Sequence, residues 1–181
     1  SLFELLISEK NLNFIIENNV DDNEPIYSDK ERIERILVNL VSNSLKFTTQ
    51  GFIKISSNKL PTGDIQYSVE DSGIGIKEED KSKLFKLYGK VENNETNGYN
   101  QHGIGLGLTI SNMIACCLSN KSTDQILLKL ESEYGKGAKF WFVIPHKIPN
   151  EINLDINLNE RKEIQGFHKI QIKTKKLTTN K

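Results

Sequence analysis

Three groups of residues combine types and spacing that could do chemistry. Asn39, Asn43 and Lys46 lie three or four positions apart within DKERIERILVNLVSNSLKFT, residues 29 to 48. Asparagine is a mediocre helix former because its amide competes for nearby backbone groups, so two of them one turn apart inside a helical pattern want a reason. An amide carbonyl is a neutral oxygen ligand suited to Mg²⁺, and an ammonium one turn further on could meet phosphate. The competing explanation is a solvated polar face, ordinary on surface helices. The second group is Asp71-Ser72-Gly73-Ile74-Gly75-Ile76. Its glycines let the backbone turn tightly and let a flat ligand approach the main chain. A buried carboxylate there could accept a hydrogen bond from an exocyclic amine such as that of adenine and reject a base lacking it; read structurally, the same residues are a good turn. The third is Gly103-Ile104-Gly105-Leu106-Gly107-Leu108. Alternating glycines at a helix start expose N–H groups at the positive end of the helix dipole, a seat for phosphates, though close helix packing explains them equally well.

The elements that must position these residues follow from periodicity. Ser28 with Glu31 forms the S-x-x-E pattern of a capping box, so a helix should start there and run to about Thr48. Its core face is Ile33, Ile36, Leu37, Leu40 and Val41, and its polar stripe is Arg32, Arg35, Asn39, Asn43 and Lys46. Upstream, Leu12 to Ile16 is strand-like and Asn18 to Asn23 marks a loop. Phe52 to Ser56 and Ile65 to Val69 alternate about a turn at Leu60 to Asp64, which makes a hairpin whose second strand runs straight into Asp71. A short helix is expected from Lys77 to about Tyr88, then a polar lid or insert from Gly89 to His102, then a helix from the third glycine group to Leu118. Ile126, Leu128 and Leu130 fall on one face of a strand that turns at Glu133 to Gly137 and returns through Ala138 to Ile144. From Asn150 to Lys181 the composition is that of a linker or tail, with one weak strand at Ile170 to Ile172.

The chain has 181 residues, zero formal net charge and an ordinary apolar fraction, which suits one domain with a substantial core. That balance argues against nucleic acid or a membrane surface as the main partner, since both usually call for excess basic charge. No apolar run approaches bilayer-spanning length and the start SLFELLISEK reads as neither a signal nor a transit peptide, so a cytoplasmic domain is expected. Cys116 and Cys117 are adjacent and read as buried packing residues. A start at Ser1 suggests a fragment, divided as the end of a linker at 1–10, one domain at 11–146 and a polar tail at 147–181.

Each feature alone is ordinary, but their order strongly resembles the catalytic ATP-binding domain of the histidine kinases of two-component signalling. The matching stretches are NLVSNSLKFT at 39–48 for the N box, DSGIGI at 71–76 for the first glycine box, LFKLY at 84–88 for the F box, GIGLGLTIS at 103–111 for the second glycine box and SEYGKGAKFWFVIP at 132–145 for the closing hairpin. The resemblance implies the ATP-binding α/β fold shared with type II topoisomerases, the large heat-shock chaperone and mismatch-repair ATPases. That is a two-layer sandwich, a mixed and mostly antiparallel sheet covered on one face by three helices. It further implies that Asp71 takes the adenine amine with Gly73, Gly75 and Ile76 closing over the base, and that Asn43 and Asn39 hold Mg²⁺. Lys46 would reach a phosphate, and Gly103, Ile104, Gly105, Leu106, Gly107 and Leu108 would surround the phosphate chain. Leu84, Phe85 and Tyr88 would anchor the lid.

The same resemblance implies ATP and Mg²⁺ as cofactors. As partners it implies an acceptor-histidine hairpin elsewhere in the parent protein and a response-regulator receiver domain, with no nucleic acid and no direct membrane contact from this piece. No acceptor-histidine motif of the H-E/D-x-R/K-x-P kind occurs in the chain. The ATPase cousins carry glutamate at the place of Asn39 to activate water, and an amide cannot accept that proton. A second rival is a catalytically inactive nucleotide-sensing or interaction module of the same fold. Many relatives place a serine or threonine where Ala138 and Lys139 stand, so a hydroxyl contact near Asp71 is in doubt. His102 could meet a terminal phosphate, but a wet loop histidine is the simpler reading, and His146 and His168 lie outside every motif.

Overall fold

A computed structural model describes Ile7 and residues 9–21, 26–85, 106–145 and 168–169. In chain order the elements are β1 (Asn13–Asn19), β2 (Tyr27–Ser28), α1 (Lys30–Phe47), β3 (Phe52–Lys59), β4 (Ile65–Asp71), α2 (Glu78–Lys81), α3 (Gly107–Leu118), β5 (Lys129–Glu133), β6 (Gly137–Ile144) and β7 (His168–Lys169). The main sheet has the order β1-β3-β4-β6-β5, and β2 pairs with β7 separately. β1 runs parallel to β3 and the other pairs of the main sheet are antiparallel. A parallel pair needs a crossover, and here α1 supplies it.

Period-2 alternation puts Ile65, Tyr67, Val69 and Asp71 of β4 on one face, opposite Ile144, Phe142, Phe140 and Ala138 of β6. α1 and α3 pack on that face and on each other, and Ile33, Ile36, Leu40 and Val41 fill the layer between. Tyr67 and Phe142 stack at 5.6 Å between ring centroids. The opposite face of β4 carries a Lys54–Glu70 pair at 3.0 Å and a buried Ser56–Ser68 hydroxyl pair at 2.6 Å. The expected two-layer α/β sandwich is therefore present.

Several local expectations are corrected. α1 is capped by Asp29, whose carboxylate accepts from Arg32 N at 3.0 Å; Ser28 is held in the β2 ladder instead. At the other end the Lys10 ammonium donates to the carbonyls of Leu45 and Thr48, a cation at the negative end of the helix dipole. β1 continues through Asn18 and Asn19, read from sequence as loop. Their amides bond across to β3, Ser57 Oγ donating to Asn18 Oδ1 at 2.6 Å and Asn19 Nδ2 to Asn58 Oδ1 at 2.8 Å. The helix expected from Lys77 is a single turn, followed by i→i−3 bonds from Lys83 to Asp80 and Leu84 to Lys81 that tighten it.

The strand expected from Ile126 begins only at Lys129. Ahead of it, Asn112 on α3 replaces the ladder. Its Oδ1 accepts from Leu127 N and Leu128 N at 2.8 and 3.0 Å, and its Nδ2 donates to Gln125 O at 2.7 Å. Ile126 is left exposed. Cys116 is buried as expected, but Cys117 is exposed. Tyr88, Gly103, Ile104 and Gly105, with the whole of 86–105, fall outside the described residues, as do 170–172 of the expected tail strand.

Candidate nucleotide site

Asp71 is the last residue of β4, on the helix-facing side of the sheet, and is buried. Its Oδ1 accepts from Gly73 N at 3.0 Å and its Oδ2 from Ser44 Oγ at 2.8 Å. Burial pushes the carboxyl above its usual range, and the donors from Ser44, Gly73 and the Ala138 backbone pull it back. Ser44 was not singled out by its sequence; only the pairing of α1 against the end of β4 reveals it.

The turn after Asp71 is fastened to the β5–β6 hairpin. Ile76 N donates to Ser132 Oγ at 2.9 Å, Ser132 Oγ donates to Gly137 O at 2.7 Å, and Gly135 N donates to Ile74 O at 2.8 Å. Gly75 sits at φ +65°, and a Cβ there would lie 2.1 Å from the Glu133 carbonyl oxygen. Only glycine can occupy that position without moving the hairpin.

At the other end of the site, Asn39 bridges the two helices. Its Nδ2 donates to the buried Ser111 Oγ on α3 at 2.9 Å. A Cβ on Gly107, the first residue of α3, would lie 2.5 Å from Asn39 Oδ1. The glycine therefore lets the amide reach the start of α3, so the close-packing explanation of this residue holds as a fact of the structure. Asn43 is half-buried one turn further along α1, and no hydrogen bond to its side chain is found among the described residues. Lys46 is half-buried, with its ammonium 5.2 Å from the Phe47 ring centroid. The polar stripe divides accordingly: Arg32 and Arg35 are exposed, while Asn39, Asn43 and Lys46 are half-buried, Asn39 against α3.

Leu84 and Phe85 are half-buried, and Ile76, Phe85 and Leu108 pack on the core, Leu106 and Gly107 leading into α3. The amide oxygens of Asn39 and Asn43 are of the type that suits a hard dication sharing its remaining ligands with phosphate and water. Among the described residues no cluster of three or more His, Cys, Asp or Glu side chains could hold a metal.

A carboxylate at a central strand end, amides on the crossover helix and a glycine-started helix beside them define a nucleotide-binding α/β sandwich. Residues 28–148 match the model of the histidine kinase-, DNA gyrase B- and HSP90-like ATPase family, and the chain belongs to that family. Within it, the resemblance is to the ATP-binding catalytic domain of sensor histidine kinases. The chain is 35% identical over 175 residues to hybrid signal transduction histidine kinase B of Dictyostelium discoideum, spanning 90% of this chain and 8% of that protein. The nucleotide-free catalytic domain of histidine kinase ThkA superposes with a TM-score of 0.63 at 32% identity, covering 80% of this chain and 87% of that one. Full-length ShkA, solved in complex with AMPPNP, gives 0.64 at 25% identity, covering 80% of this chain and 27% of that one.

Proposed function

We propose that this domain binds Mg-ATP and delivers the γ-phosphate to an acceptor histidine on a dimerisation hairpin of a longer protein, feeding a phosphorelay to a response-regulator receiver domain. The observation that carries this reading is Asp71, a buried carboxylate held by donors at the end of β4. Asp71 accepts from the adenine amine, and the Gly73–Ile76 turn, fastened to the hairpin, covers the base. Asn43, with Asn39, holds Mg²⁺, which neutralises charge on the phosphates when bound. Lys46 meets a phosphate, and the start of α3 offers it backbone N–H groups. The glycines at 103 and 105 and Ile104 extend that cradle, and Tyr88 joins Phe85 in anchoring a lid. Phosphoryl transfer asks for positioning and charge stabilisation more than for covalent chemistry from the protein.

Asn39 supports transfer over hydrolysis. An amide that donates to Ser111 cannot take a proton from water. The domain works in the cytoplasm in this reading; among the described residues no helix is long and apolar enough to cross a membrane.

The test is thermal stability with and without ATP and Mg²⁺, beside Asp71→Asn. Ligand at about a hundred times its dissociation constant stabilises the native state by roughly 2.7 kcal/mol. A shift in the wild type that disappears in the variant supports the site; no shift in either removes it. Transfer itself is read by phosphorylation of a supplied helical hairpin, which Asn43→Ala abolishes.

A further inference from the structure

Asp71 needs help to be an acceptor. Its two cross-strand neighbours on the sheet are aliphatic, Ile53 on β3 and Ala138 on β6. The backbone donors from Gly73 and Ala138 come from the turn and the adjacent strand β6. Among the described residues the one side-chain donor is Ser44, which is 3% exposed and reaches Oδ2 from the helical layer at 2.8 Å. A buried hydroxyl is costly without a partner, and a buried carboxylate is stable as an anion only while donors surround it. Each settles the other. Ser44 also follows Asn43 directly, so a single turn of α1 carries the hydroxyl that serves the base end and the amide assigned above to the metal end.

We propose that Ser44 is the positioning residue of the base site: its hydroxyl fixes Asp71 as an oriented acceptor and thereby sets the preference for a 6-amino over a 6-oxo purine nucleotide. The inference rests on the nucleotide-site reading above. Without the hydroxyl, Oδ2 loses its donor and the buried carboxyl tends toward its protonated form. A protonated carboxyl donates a hydrogen bond, which suits a 6-oxo group and no longer suits an amine. Discrimination collapses from both directions, whereas loss of packing alone weakens both nucleotides alike.

Affinities for ADP and IDP, measured by calorimetry on the wild-type chain and on Ser44→Ala, test this. ADP binding should weaken by roughly tenfold, the scale of one hydrogen bond to a charged acceptor, while IDP binding should tighten. Ser44→Cys, which keeps the shape and donates only weakly, is read in the same way and covers a failure of the alanine variant to fold. A wild type that prefers ADP beside variants with the same ADP-to-IDP ratio overturns the role of Ser44 and leaves the site standing. A wild type without preference for ADP overturns both.

Discussion

Asp71 shows at the level of one residue how a site can oppose stability. Its carboxyl is raised above the usual range, chiefly by burial. The folded state therefore binds its proton more tightly than the unfolded chain does. The stability this contributes is complete below the ordinary carboxylate range and is lost as pH rises through the higher folded value. At neutral pH the buried anion is a cost. Nucleotide-free Asp71→Asn should melt above wild type at pH 7, and the gap should close as pH falls below the carboxylate range; thermal melts at the two pH values check this. Tyr67 poses a simpler case. Burial pushes its phenol to about 12, and its hydroxyl has no hydrogen-bond partner among the described residues. Tyr67→Phe keeps the stack on Phe142 and removes an unpaired polar group, so urea unfolding should show it as stable as wild type or up to about 1–3 kcal/mol more so.

Helices and loops respond to single side chains in two places. Asn112 is buried and satisfies three backbone groups of 125–128 at once. Asn112→Ala leaves those groups unpaired and should lower unfolding free energy by about 3 kcal/mol in denaturant titration. Gly75→Ala forces a left-handed residue against the Glu133 carbonyl. It should lower stability by at least about 1–3 kcal/mol and weaken ATP binding with it, read by melting with and without nucleotide. These elements also mark the limit of what the sequence showed. The two faces of α1, the β3–β4 hairpin and the closing hairpin were legible because each is a local periodicity. The early strand expected at Ile126 failed because a helix side chain, 15 or 16 positions away, took the backbone bonds a ladder would have taken. Asn18 and Asn19 looked like a loop because their cross-strand partners are invisible along the chain. Ser28 looked like the cap of α1 because Asp29, next to it, offers the same chemistry one residue later.

For the whole molecule, order along the chain revealed more than any residue did. Asn39, Asp71 and Gly107 were each ambiguous, and their succession identified the family. What no local pattern could supply was the strand order, the parallel pairing of β1 with β3 and hence the meeting of Ser44 with Asp71 across the layers. Asn39→Glu separates the two enzymatic fates of this fold. A carboxylate in place of the amide can accept a proton, so ATP turnover should rise well above wild type in a phosphate-release assay if the nucleotide seats as proposed, and unchanged turnover would count against that seating.

The placement of Asp71 on β4 has a further consequence, in time instead of space. β4 is the middle strand, hydrogen-bonded on both sides, and local opening starts where such protection is least. Amides of β4 should therefore be among the last to exchange with deuterium, while those at the first turn of α3 should exchange earlier. Under the proposed seating, the two ends of a nucleotide would then meet surfaces of different lifetime. The base end would persist through partial openings that dissolve the phosphate end, so that a domain that had let go of the triphosphate would still remember which base it prefers.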